Sequence, residues 1–379
     1  MQSSPPKNFW RTLGVGLGVL GMVGCTSLGY YRQAIVGHLQ LMHARRPVQS
    51  VITDPTTPAA LRTKLEVAQA ARSWASVSLG LPDNRSYTHY AALNRRYVVW
   101  NVFAAPPLSL TLKESCFLLV GCLSYRGYFA EAAARAAGAM LRAAGYDVFV
   151  GGVAAYSTLG WFADPLVSSM VQWENALLVK TVFHELAHQQ LYLAGDSTFN
   201  ESFATAVADA GFARWRAETA LGAKVAPVTA HQDEFIALLL RYRALLQQVY
   251  ASALPAPDKL TAKARAFAAL RHEFATLRRN WHDGETYAAW LAEDLNNAKL
   301  ASVETYHTHV PAFLAILRVL QGDFPRFYRM AAALAKQPQI TREACLAALV
   351  TMHEDIPASC ATAFQAARPS DAITRTARR

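Results

Sequence analysis

The chain has 379 residues, 37 Lys and Arg against 27 Asp and Glu, and a formal net charge of +10. Its basic residues are scattered, with no patch interleaved with aromatics, which excludes nucleic acid as a partner. The absence of a Gly-x-Ser-x-Gly elbow and of a Gly-rich phosphate loop excludes serine-hydrolase and nucleotide-binding chemistry of the usual forms.

In chain order, residues 1–24 carry Lys7 and Arg11, no acids, and an apolar glycine-rich run from Leu13 to Gly24. This is the pattern of a signal peptide, since a dozen apolar residues are too few to span a bilayer that needs about 20. Met22-Val23-Gly24-Cys25 has the form of a lipoprotein processing site, with Cys25 as the acylated first residue of the mature chain. The expected localisation is the periplasmic side of a bacterial cell envelope, exported and held to the membrane by a lipid anchor. Loss of residues 1–24 would lower the net charge from +10 to +8.

The mature part, 25–379, exceeds one ordinary domain, yet no Gly/Ser linker or low-complexity break divides it. A single two-lobed unit over 25–365 is expected. Helices are expected over Tyr30–Arg45 and Thr57–Val77, and strands over Tyr97–Phe103, Cys116–Cys122 and Asp147–Ala154. From Ser168 onward the pattern turns helical, with long amphipathic segments at Glu234–Tyr250 and Lys259–Arg279 separated by Leu254-Pro255-Ala256-Pro257. Residues 366–379, with four arginines and no periodicity, read as a flexible basic tail.

In an exported chain Cys345 and Cys360 are placed to staple the C-terminal region around Pro357. Cys116 and Cys122 would bridge only if they were not the two ends of one extended strand, where about 20 Å would separate them.

The densest chemistry lies at Phe183-His184-Glu185-Leu186-Ala187-His188, followed by Asn200-Glu201. On a helix, positions i and i+4 share a face, so His184 and His188 can both aim a ring nitrogen at one zinc ion about 2.1 Å away. Glu185 stands beside them, free of the metal. A zinc ion with three protein ligands keeps a fourth position for water, lowers its pKa toward about 7, and leaves Glu185 to take its proton. The surrounding Thr181, Val182, Phe183, Leu186, Ala187 and Leu191 are uncharged and mostly apolar, so unpartnered histidines and a glutamate there would be costly to desolvate.

Glu201 is the candidate third ligand. Gly195-Asp196-Ser197 breaks the histidine helix, and a short return would carry Glu201 back over it. Thr198-Phe199-Asn200-Glu201 also has the form of a capping box, in which Glu201 would only bind the Thr198 amide. Asp209, two turns on, is placed to orient a ligand histidine from behind.

Three runs together resemble a known family: Gly151-Gly152-Val153-Ala154-Ala155-Tyr156-Ser157-Thr158-Leu159-Gly160-Trp161-Phe162, His184 to Gln189, and Phe199 to Ala204. With Gly121-Cys122, Tyr125 to Phe129 and Leu295 to Ala298, the chain from about Gly24 to Phe313 resembles the putative aminopeptidases of bacterial envelopes. The resemblance implies a zinc peptidase of the glutamate-ligand type, one zinc ion on His184, His188 and Glu201, and a peptide substrate. Gln190 departs from the pattern, in which an apolar residue is usual. By analogy with thermolysin-like peptidases the expected fold is α+β, a small N-terminal sheet before a large helical C-terminal lobe.

Under that plan the strand ending in Gly151-Gly152, with Tyr156, would hold an extended substrate by backbone pairing, the rival reading being a plain strand-to-loop turn. Tyr306, with His307 and His309 nearby, is the leading donor to the oxyanion. Glu174 and Glu304 are the acids considered for capture of a substrate amino group. The competing function is an envelope lipoprotein that uses a structural zinc site for binding or scaffolding, with Glu185 the residue such a site would not need.

Overall fold

The computed structural model describes residues 29–366 except 118–120, 228–229, 282–283, 293–294 and 351–356. Among the described residues, strands are confined to the first half. Helix α1 (29–43) leads into β1 (Arg45–Pro47), α2 (Val48–Thr53) and α3 (Ala59–Ser78). Then come β2 (His89–Ala91), β3 (Val99–Ala105), β4 (Ser115–Phe117), β5 (Gly121–Leu123), β6 (Arg126–Tyr128), α4 (Glu131–Ala143), β7 (Asp147–Val153) and β8 (Leu166–Val167). The remainder is helical: α5 (Ser168–Val171), α6 (Asn175–Gln190), α7 (Ser197–Glu218), α8 (Ala220–Ala223), α9 (Ala230–Ala251), α10 (Ala256–Leu277), α11 (Gly284–Ala292), α12 (Asn297–His307), α13 (Val310–Val319), α14 (Phe324–Ala335), α15 (Gln339–Val350) and α16 (Ala361–Ala366).

The strands form a sheet in the order β1-β2-β8, a second in the order β6-β3-β7, and the hairpin β4-β5. Alternation along β3 decides what covers each face of the second sheet. Val102 and Ala104 join Tyr128, Val148 and Ala134 of α4 on one face. Phe103 and Ala105 join Phe149, Tyr125 and Ala298 of α12 on the other. The main core is elsewhere, built by α3, α6, α7 and α13–α16 around Phe183, Phe203, Trp215, Phe313 and Phe327. A fourth cluster fills the space between α9, α10 and α11 around Phe235, Leu246 and Phe274.

Both cysteine pairs are bridged, Cys345–Cys360 and Cys116–Cys122. The second corrects the expectation of one strand over Cys116–Cys122. The two residues are cross-strand partners in the β4-β5 hairpin, with Cα atoms 3.8 Å apart. Gly121, the first residue of β5, has φ of +76° and lies so close to the turn at Gly195 that an added Cβ would meet Gly195 N at 2.8 Å. Apolar residues on both arms hide the fold-back in the sequence, because one strand and two short arms share the same composition. Helix α4, rich in alanine, was not anticipated from the sequence. Cys25, the 1–24 segment and the tail beyond 366 lie outside the described residues.

Candidate metal centre

Helix α6 buries Val179, Val182, Phe183, Leu186 and Ala187, spaced i, i+3, i+4, i+7, i+8, in the main core. That stripe fixes the rotation of the helix and sets His184 and His188 on the adjoining face. Gln190, the departure from the family pattern, is the last residue of α6 and is exposed, which removes the demand for an apolar side chain there.

The chain then reverses. Gly195 takes φ of +85°, and Asp196 caps α7 by accepting from Phe199 N at 2.9 Å. The cap is therefore Asp196, and the Thr198 capping box does not form. Arg342 Nη2 holds the second Asp196 oxygen at 2.6 Å. Buried Asn200 clamps the turn twice, its Oδ1 accepting from Leu193 N and its Nδ2 donating to Leu193 O, both at 2.7 Å. The next residue, Glu201, is thereby carried back over the histidines.

His184 Nε2 lies 3.1 Å from Glu201 Oε2 and 3.1 Å from His188 Nε2, and His188 Nε2 lies 3.5 Å from Glu201 Oε2. Ligands about 2.1 Å from a tetrahedral ion are spaced about 3.4 Å from one another, so the donor set fits zinc in chemistry and in spacing. Three lone-pair atoms this close repel unless a cation or a proton lies among them. In the protonated alternative, burial opposes charge on His188, but Glu201 outweighs it and raises the imidazole pKa. Burial likewise opposes ionisation of Glu201, yet the two imidazoles hold its carboxyl well below the usual range. His188 Nδ1 is buried and has no hydrogen-bond partner among the described residues. The other grouping of ligand-type residues, Glu114 with Cys116 and Cys122, has its sulfurs in a disulfide.

Phenols ring the centre. The Tyr306 ring lies face to face with His184, centroids 6.4 Å apart and tilted by 26°. The charge of Glu201, then burial, pushes the Tyr306 hydroxyl pKa far up. Tyr125 is raised by burial and by Glu201, with Tyr192 and Glu185 adding to the effect. Tyr192 is raised by burial and Glu201. All three hydroxyls thus stay protonated as donors beside the site. Tyr125 and Tyr192 were not singled out as site residues from the sequence, although Tyr192 continues the spacing of four from His184 and His188. Glu185 follows His184 outside the ligand set, and its charge reaches Tyr87, Tyr125, Tyr306 and Asp164.

Other expected residues are engaged differently. Asp209 pairs with Lys180 Nζ at 2.5 Å, one turn before His184 on α6, so a cation takes the carboxylate expected to orient a histidine. Glu174 precedes α6, about 15 Å of helix from His184, too far to hold a substrate amine at the centre. Glu304 is ion-paired with Arg243.

Gly151 and Gly152 lie on β7, which pairs only with β3 among the described strands and so leaves an edge. The glycines are already required by the protein itself: a Cβ on Gly152 would meet the Tyr97 ring at 2.2 Å, and one on Gly151 the Phe149 ring at 2.9 Å. The Tyr156 hydroxyl is 2.9 Å from His38 Nδ1 on α1. Asp164, completely buried, closes the loop after β7 by accepting from Thr158 N and Thr158 Oγ1, each at 2.8 Å.

No curated protein and no solved structure matches the chain. A family model described as "Putative aminopeptidase" matches residues 29–346, well over half of the sequence. The chain therefore belongs to this aminopeptidase family and is by class a peptidase.

Proposed function

We propose that the protein is a zinc-dependent aminopeptidase with one ion held by His184, His188 and Glu201. The observation that carries this reading is the convergence of those three lone-pair atoms within 3.5 Å while the neighbouring Glu185 stays outside the set. When bound, zinc supplies Lewis-acid polarisation of a carbonyl and of water. Glu185 then takes the proton of the attacking water and passes it to the leaving amine. Tyr306 donates its hydroxyl hydrogen to the carbonyl oxygen as charge develops there, and its raised pKa keeps that proton in place. Tyr125 and Tyr192, whose hydroxyls also lie in the field of Glu201, are further donors beside it.

The zinc helix pair, with strands before it and a helical lobe after it, supports a thermolysin-like architecture as part of the same proposal. The free edge of β7 is the proposed seat for an extended peptide, with Tyr156 acting through the loop that follows. Cys25 is proposed as the lipid attachment point, which would place the enzyme on the periplasmic face of a membrane.

The test combines metal analysis of the purified protein with cleavage of a peptide library bearing free or blocked amino termini. Wild type should carry one zinc per chain and cut only free termini. Glu185→Gln should keep the metal and lose hydrolysis, whereas His188→Ala should lose both. Hydrolysis retained by Glu185→Gln refutes the mechanism, and equal cutting of blocked peptides refutes the exopeptidase assignment.

A further inference from the structure

Helix α1 is amphipathic in an unusual direction. Its exposed side includes Tyr31, Ile35, Val36 and Leu39, each between 43 and 60 % accessible, where a helix packed on a core would show polar groups. Positions 31, 35 and 39 form one i, i+4, i+8 stripe, with His38 on its flank.

A second apolar projection stands beside it. The loop after β7 turns at Leu159 and Gly160, with φ of +56° and +82°, and presents Trp161 and Phe162 at 71 and 53 % exposure. This tip is fixed to α1 and to β1 after it: the Phe162 ring is 4.6 Å from the His38 ring, and Arg45 Nη1 donates to Ala163 O at 2.7 Å. Asp164 holds the base of the loop through Thr158. The aromatic tip and the α1 stripe are thus parts of one rigid surface.

The charge along the first 53 residues is of one sign. The first acidic residue of the whole chain is Asp54, which pairs with Arg46, and Arg32 and Arg45 precede it on and beside α1. The apolar run Leu13–Gly24 and Cys25 come just before α1, and Cys25 is at most about 14 Å of chain from Gly29. Exposed aliphatics, an exposed tryptophan and a helix that carries Arg32 and no acid are the composition that settles at the headgroup boundary of anionic lipid. A second copy of the chain would bring the same positive charges face to face.

We propose that the α1 stripe and the Trp161–Phe162 tip form a docking surface for an anionic bilayer, with α1 lying flat in the headgroup region. No helix among the described residues is long and apolar enough to cross a membrane, so this contact is interfacial. Because Gly160 lies against Gln189, next to the ligand His188, docking would set the orientation of the metal centre relative to the membrane. The proposal does not depend on the peptidase chemistry.

The test uses the full chain with Cys25→Ser, in which the other four cysteines are paired, so that an introduced cysteine is the sole free thiol. An environment-sensitive fluorophore is placed at Leu39→Cys, at Trp161→Cys and, as a control, at the exposed Ile340→Cys on α15. Vesicles of phosphatidylglycerol and phosphatidylethanolamine should shift the first two labels to the blue, and brominated lipid should quench them, with the third unchanged. Pure phosphatidylcholine should give weaker shifts. A combined Ile35→Gln, Leu39→Gln, Trp161→Ser, Phe162→Ser variant should partition into the anionic vesicles at least about tenfold less while keeping its far-ultraviolet dichroism and melting temperature. The proposal is overturned if labels 39 and 161 stay in water while the chain floats with the vesicles. It is equally overturned if they shift with protein concentration in the absence of lipid, which would mark a self-association face.

Discussion

Asp164→Asn should change the pH dependence of stability in a defined direction. Burial raises the Asp164 carboxyl from 3.8 to about 7, against the lowering effect of its two Thr158 bonds and with the charge of Glu185 adding to the rise. A carboxyl raised in the folded state binds a proton more tightly there than in the unfolded chain. The resulting stability is complete below pH about 4 and is lost as pH rises to about 7. Three pKa units at about 1.4 kcal/mol each give a ceiling of about 4 kcal/mol over that window. Asparagine cannot ionise, and it can still accept from Thr158 N while its amide donates to Thr158 Oγ1. The assay is the urea midpoint of wild type and variant at pH 4.5, 6 and 8 with matched metal content, so that every other titrating group cancels in the difference. The two should be close at pH 4.5, and the variant should be the more stable at pH 8. A difference that does not change with pH would refute the reasoning.

Tyr306→Phe should lower kcat about 100- to 1,000-fold with little change in KM, measured on a free-terminus peptide. If Tyr125→Phe shows that loss instead, the oxyanion donor is Tyr125. Gly152→Ala should destabilise the protein by about 1–3 kcal/mol in urea unfolding because the Tyr97 ring occupies the Cβ position; unchanged stability with a raised KM would instead make the glycine a substrate contact. Replacing both Cys345 and Cys360 with alanine should cost about 3 kcal/mol, since their bridge closes a span of 15 residues. An unchanged urea midpoint would show that α15 and α16 hold together without it.

The residues that could hold a metal ion were legible because their signal is local. His184 and His188 depend only on helical spacing, and the choice of Glu201 needed only a break at Gly195 and a short return. Glu201 could equally have capped its own helix on sequence grounds, and what excluded that was Asp196 taking the cap while Asn200 clamped Leu193. The strands around β3 and β7 were readable from alternation, whereas α4 was hidden by alanine, which gives little contrast between faces. The Cys116–Cys122 hairpin was misread because apolar composition does not distinguish one strand from two short arms.

Asp209 was expected behind a ligand histidine, and in the structure it pairs with Lys180. A carboxylate pairs with the nearest suitable group, and Lys180 reaches it on the neighbouring helix. Tyr125 and Tyr192 were passed over for a related reason: a tyrosine becomes part of a site only through what the fold brings beside it.

By itself the sequence determined the residues able to hold an ion, the carboxylate beside them, and the change from strands to helices along the chain, because each follows from spacings of a few residues. The tertiary structure decided which phenols face Glu201, which acids are neutralised by lysine or arginine, and that α1 and the Trp161 loop share one surface. Most of those outcomes depend on contacts between residues tens to more than a hundred positions apart, and no local periodicity encodes such contacts.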